Sequence, residues 1–248
     1  AVPEEVGPVG IEHCQGQTVP LGLVNRLPYA EVEVGGATGW FLVDWGTTGS
    51  AIDPNGFLPF APQPLIGTNN RWEGFSFFGP WGTVTLSPQN FSAFGGVCVG
   101  SGAWPTRHCN NPQAGILGTD FLALNTFVVD WSARTLARAD VGAGCSDATL
   151  LGAGFRPLST AGYFASDWAR VDPGVPNIPT IPVRIGDWVA PAQIDTGYDD
   201  SLVGPAININ VAFFEAVEAA LARAPELDLV LTTCVPGLVE RVDAYRLK

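Results

Sequence analysis

Two aspartates close matching apolar runs, Phe41-Leu42-Val43-Asp44-Trp45-Gly46-Thr47 and Ala192-Gln193-Ile194-Asp195-Thr196-Gly197-Tyr198. An apolar strand ending in Asp-x-Gly places a carboxylate on a tight turn at the tip of a rigid element, because Asp and Gly both favour turns. Two such turns in one chain can bring two carboxylates face to face. Held about three ångströms apart, the carboxylates cannot both ionise easily and keep one proton between them. The ionised member can then draw a proton from water while the protonated member donates to a carbonyl oxygen. That is acid–base hydrolysis by a pair that titrates as a unit, with no nucleophilic side chain and no metal or other cofactor required.

The elements upstream of the aspartates repeat as well. Val32, Val34 and Gly35 recur as Val183, Ile185 and Gly186, each 151 positions later and in gapless register with the aspartates, as a duplicated unit would. Residues 29–52 read as a hairpin: Glu31-Val32-Glu33-Val34 alternates, Gly35-Gly36 turns, and Trp40 to Val43 returns. Residues 71–86 alternate around Phe75-Ser76-Phe77-Phe78, turn at Gly79-Pro80 and return through Trp81-Gly82-Thr83-Val84. Gly115-Ile116-Leu117-Gly118-Thr119-Asp120-Phe121-Leu122, followed by Phe127-Val128-Val129-Asp130, reads as a buried strand between glycines, a helical turn and another strand.

Composition points to an all-β protein. The chain has 248 residues, 46% hydrophobic, with 30 Gly and 21 Pro at short spacing, enough for one large core or two modest ones. One helix is expected, Val211 to Arg223, with Val211, Phe214, Val217 and Leu221 on its packing face and Asn210 as N-cap. Residues 1–27 form a lead-in with an edge strand. Residues 139–178 lack periodicity and read as a connection that packs through Tyr163, Phe164 and Trp168. A net charge of −12 argues against nucleic acid and anionic membranes as partners, and no apolar run is long enough to span a bilayer.

Taken together, the two aspartate turns and the Gly115–Leu122 segment resemble the pepsin/retropepsin-like aspartic proteases. The resemblance implies an all-β, bilobal fold of pseudo-two-fold related lobes with β-barrel character: a first lobe over 1–150, a connection over 151–178 and a second lobe over 179–248. It implies an endopeptidase whose dyad is Asp44 and Asp195, supported by Gly46, Thr47, Thr196 and Gly197, with Thr47 bonded to the outer oxygen of Asp44. Residues 71–86 would be the flap, with Trp81 either contacting a peptide or protein substrate or packing as a core or cross-strand aromatic. The chain departs from the family at Trp45, where a Ser or Thr hydroxyl normally reaches the opposite lobe, and at Tyr198, which replaces a small hydroxyl residue. Both aromatics would stand beside the dyad, against substrate. The alternative is a catalytically silent relative that acts as a binding module or subunit of a larger complex.

The Gly115–Asp120 segment has no second copy, since its recurrence would fall at residues 266–271 and the numbering ends at Lys248. Either a C-terminal fragment or partner chain completes the second lobe, with Cys234 a candidate for a disulfide to it, or the sequence is a truncated one, or the lobe is completed differently. Cys98 with Cys109 and Cys14 with Cys145 are the other candidate pairs among five cysteines. Those cysteines, and Ala1 in place of an initiator Met, suggest a secreted or periplasmic protein whose signal peptide has been removed. His13-Cys14 and His108-Cys109 do not make a zinc site, no nucleophile elbow is present, and Asp199-Asp200 reads as a solvated turn. Asn90-Phe91-Ser92 fits a glycosylation sequon.

Overall fold

The structure, a computed structural model, describes residues 15–24, 27–34, 37–52, 71–72, 75–79, 82–86, 89–91, 113–122, 126–139, 146–158, 161–162, 177–198, 207, 209–221, 227–232 and 239–244. All five cysteines, both histidines and Trp81 lie outside the described residues, as do the disulfide pairs expected from the sequence. By contact the chain divides into two compact units: Ala1–Ile181 with Gln193–Asp199, and Pro182–Ala192 with Asp200–Lys248.

The first unit is built on β1 (Gln15–Val24), β2 (Leu27–Val34), β3 (Ala37–Val43), β4 (Ala51–Ile52), β5 (Arg71–Trp72), β6 (Phe75–Gly79), β7 (Gly82–Leu86), β8 (Gln89–Phe91) and β9 (Gln113–Leu117). A single helical turn, α1 (Thr119–Leu122), leads to β10 (Phe127–Asp130) and β11 (Thr135–Ala139). These strands form one sheet in the order β10-β11-β1-β2-β3-β9-β4-β8-β5, with the β6–β7 hairpin branching from β2. The protein is mainly β, as composition suggested. Among the described residues the sheet order stays open, so the expected barrel closure is not found there.

Local patterning explains most of the sheet. Val34 pairs with Ala37 across the expected glycine turn, and Gly79 pairs with Gly82 at the tip of β6–β7. On β3 the two-residue period sends Phe41 and Val43 into the main core with Leu117, Phe121 and Leu136, and Leu42 into a second cluster with Tyr29. Full burial of a side chain such as Phe41 or Leu117 contributes on the order of 2 kcal/mol. β9 runs parallel to β3, pairing Val43 with Leu117. A Cβ at Gly115 would strike the Phe41 ring and the Ala51 carbonyl, so only glycine lets the strands approach this closely.

The edge strand expected within residues 1–27 is instead interior. β1 pairs with β11 up to Pro20 and with β2 from Leu21 onward. Proline has no N–H to give; Leu21, the next residue, donates to Arg134 O at 2.8 Å. The segment read as an aperiodic connection over 139–178 holds α2 (Asp147–Gly152), where Ser146 Oγ caps the helix by accepting from Thr149 N at 3.2 Å, and β12 (Ala161–Gly162).

β13 (Pro179–Ile185) and β14 (Trp188–Gln193) follow, and the three-strand sheet runs β12-β13-β14. Gly186, at φ +59°, takes the left-handed conformation in the turn between β13 and β14. The second unit carries the far part of this hairpin together with α3 (Val211–Val217), β15 (Leu227–Thr232) and β16 (Val239–Ala244). Asn210 Oδ1 caps α3 by accepting from Phe213 N at 2.8 Å, as expected. The helix is shorter than expected, giving way to a 3₁₀ turn at Glu218–Ala220. Its packing stripe is Phe213, Phe214, Val217 and Leu221 against Ile185. Val211 lies off that stripe by the 3.6-residue period and is 73% exposed. Among the described residues no helix is long and apolar enough to cross a membrane.

Candidate active site

Asp44 stands where β3 ends. Its N–H donates to Leu117 O of β9 at 3.0 Å, and Gly46 N donates to Asp44 Oδ1 at 2.7 Å. The turn that follows is anchored to α1 from the other side. Thr119 N donates to Thr47 O at 2.9 Å and Asp120 N to Thr48 O at 3.2 Å. The Asp120 carboxylate accepts from Ser50 N at 3.0 Å, from Ser50 Oγ at 2.5 Å and from Phe121 N at 2.9 Å. Ser50 Oγ in turn accepts from Gly118 N at 2.9 Å. A Cβ at Gly118 would meet the Gly49 backbone at 2.8 Å, so this glycine lets turn and helix close on each other.

Asp195 follows the end of β14, and residues 193–199 group with the unit that contains Asp44. Gly197 N donates to Asp195 Oδ1 at 2.9 Å, the counterpart of the Gly46 bond. Asp195 and the Gly197 N–H both lie close enough to act on the titration of the Asp44 carboxyl. The arrangement is reciprocal: a Cβ at Gly46 would fall on the Asp195 carboxylate, and one at Gly197 on the Asp44 carboxylate. Thr196 Oγ1 donates to Val43 O at 2.7 Å and accepts from Trp45 N at 3.0 Å.

The pair is unequal in its surroundings. Asp44 is 9% exposed, whereas Asp195 is open to solvent. Burial pushes the Asp44 carboxyl up to about 6; the charge and hydrogen bond of Asp195 push the same way, against the Gly46 and Gly197 N–H groups. Tyr29, whose hydroxyl donates to Gln113 Oε1 at 3.2 Å, is pushed up to about 12 by burial and then by the charge of Asp44. One proton is therefore held at Asp44 well above the ordinary carboxylate range, next to a second carboxyl group that water can reach.

The structure thus brings together Asp44, Gly46, Asp195, Thr196 and Gly197. Thr47 takes part through its carbonyl; among the described residues no hydrogen bond joins its hydroxyl to Asp44. The Trp45 ring packs edge-on against Phe127, with centroids 6.3 Å apart, and against the main core. Tyr198 is exposed. Sequence reasoning gave no role to Ser50, Asp120, Tyr29, Gln113 or Gln193. Ser50 and Asp120 are 70 positions apart, and no local pattern announces their contact. Among the described residues no three His, Cys, Asp or Glu side chains converge as a metal site would require.

Gly197→Ala is expected to separate binding geometry from folding. Its methyl group would displace the Asp44 carboxyl, which can swing aside because it is the free end of a side chain. The Asp44 carboxyl should then titrate away from about 6, while the urea unfolding midpoint stays close to that of the wild type.

No protein-family model matches the chain, and no curated protein matches it.

Proposed function

We propose that the protein is an exported aspartic endopeptidase of the pepsin/retropepsin-like kind, bilobal in plan, which hydrolyses peptide bonds with the Asp44–Asp195 pair. One observation carries the reading: two Asp-x-Gly turns of repeated sequence meet so closely that a Cβ on either glycine would fall on the opposite carboxylate. In the reaction, Asp195 takes a proton from water as the water oxygen bonds to the peptide carbon. Asp44 gives its proton to the carbonyl oxygen, which yields a neutral tetrahedral diol. Asp195 then returns its proton to the nitrogen, the C–N bond breaks, and Asp44 recovers a proton from the diol hydroxyl as the carbonyl re-forms. The substrate binds extended, as an added strand beneath the β6–β7 hairpin.

Activity should be bell-shaped in pH, with its upper limb near pH 6, where Asp44 loses the proton it must donate. Incubation with an unfolded protein at pH 3–5 should release peptides, and a pepstatin-type inhibitor should suppress the release. The second reading, a silent binding module, is favoured by Trp45, which leaves the first turn without a hydroxyl to match Thr196. Saturable binding of the unfolded protein with no cleavage between pH 3 and 7 would decide for it and against the peptidase.

A further inference from the structure

The two motifs are copies, yet their polar side chains are unequally shared. After the aspartate the first copy has Trp45 and the second Thr196; two residues before it, the first has Leu42 and the second Gln193. Leu42 is buried beside Tyr29 and the Trp45 ring packs on Phe127. Among the described residues, the side chains that donate to the opposite turn belong to the second copy: Thr196 Oγ1 to Val43 O at 2.7 Å and Gln193 Nε2 to Gly46 O at 3.1 Å.

The Gln193 bond falls on a sensitive joint. Gly46 gives its N–H to Asp44 Oδ1 and lies so close to the Asp195 carboxylate that a Cβ would collide with it. Glycine has the widest backbone freedom of any residue, so a free Gly46 would let the turn move relative to both carboxylates. A bond on its N–H fixes one side of its Cα, and the Gln193 bond to its carbonyl fixes the other. Among the described residues Gly197, its counterpart, has no such bond on its carbonyl.

We propose that Gln193 is a positioning residue for the carboxyl pair, clamping the Gly46 carbonyl and supplying from the second copy the side-chain cross-link that Trp45 cannot supply from the first. Its kinetic consequence rests on the hydrolase reading, whereas the titration of the pair can be read without turnover.

Gln193→Leu, which installs the residue type of the first copy, and Gln193→Ala are the test variants. Gln193 is exposed, so both should fold, with urea midpoints near that of the wild type. With the clamp gone, kcat should fall at least tenfold while KM changes less than about twofold, as expected when alignment and not binding is lost. The Asp44 carboxyl, followed by carbon-13 NMR and assigned with Asp44→Asn, should titrate lower than in the wild type, because a looser turn weakens the approach of Asp195. Wild-type kcat and wild-type Asp44 titration in both variants would overturn the proposal. If the wild-type protein cleaves nothing, the hydrolase reading fails, and the titration alone decides: a lowered value supports the clamp and an unchanged one rejects it.

Discussion

Asp44→Asn is expected to make the folded protein more stable at pH 7 and to abolish the proposed peptide hydrolysis. Asp44 titrates at about 6 in the fold against 3.8 when unperturbed, so between about pH 4 and pH 6 the folded chain holds a proton that the unfolded chain has released. The stabilisation from that proton is fully present below this window and lost as pH rises through it. A rise of this size corresponds to about 3 kcal/mol, and partial access to water reduces this to the order of 2 kcal/mol. Asparagine cannot ionise, and its amide can still accept from Gly46 N and donate to Asp195. Urea unfolding should show the variant more stable than the wild type at pH 7 and equal to it at pH 4. Turnover at pH 4.5 should fall by roughly 10²–10⁴, and Asp44→Asn with Asp195→Asn should be hardly worse than either alone, because the pair acts as a unit. A stability difference that does not change with pH would show that Asp44 holds no displaced proton.

The parts of this fold that were legible in the sequence are those fixed by short-range rules. Alternation around Gly35-Gly36 gave the β2–β3 hairpin, and the glycines around Ile116-Leu117 gave the succession β9, α1, β10. Asn210 announced the start of α3 because capping depends on residues three apart. The end of that helix was not legible, since the 3₁₀ turn at Glu218–Ala220 breaks the period from which its length was read. Nor was the place of β1. Its partner β11 lies more than a hundred residues on, and an interior strand looks like an edge strand until both neighbours are known. α2 is too short for periodicity to detect, and only its Ser146 cap marks it.

The candidate site divides in the same way. The aspartates and glycines were visible because they are written twice, and the meeting of the two turns is the consequence expected of a duplication. Trp45 was legible in type but not in direction. A turn residue is not oriented by the strand period, and its ring follows the nearest apolar surface, which Phe127 provides. Gln193 and Asp120 looked like ordinary polar residues, because the partners that give them their value, Gly46 and Ser50, are far away in sequence.

Asp120→Ala should therefore show how much the first turn depends on a contact that no motif encodes. The Asp120 carboxylate accepts three hydrogen bonds, two of them from Ser50, which is 5% exposed. Alanine leaves Ser50 N and Ser50 Oγ without that acceptor in a place water scarcely reaches. An orphaned buried donor costs about 1–3 kcal/mol, so a loss of about 3 kcal/mol in urea unfolding is expected as the segment after Asp44 loosens. Asp120→Asn should cost roughly 1 kcal/mol, since one amide oxygen remains to accept while the NH₂ group faces a donor. Ser50→Ala removes the hydroxyl and leaves Gly118 N without its acceptor. If Ser50 and Asp120 form one clamp joining the turn to α1, the double variant should be less destabilised than the sum of the two singles by about 1 kcal/mol or more. Strict additivity would mean that Ser50 and Asp120 act independently and do not form one clamp on the turn.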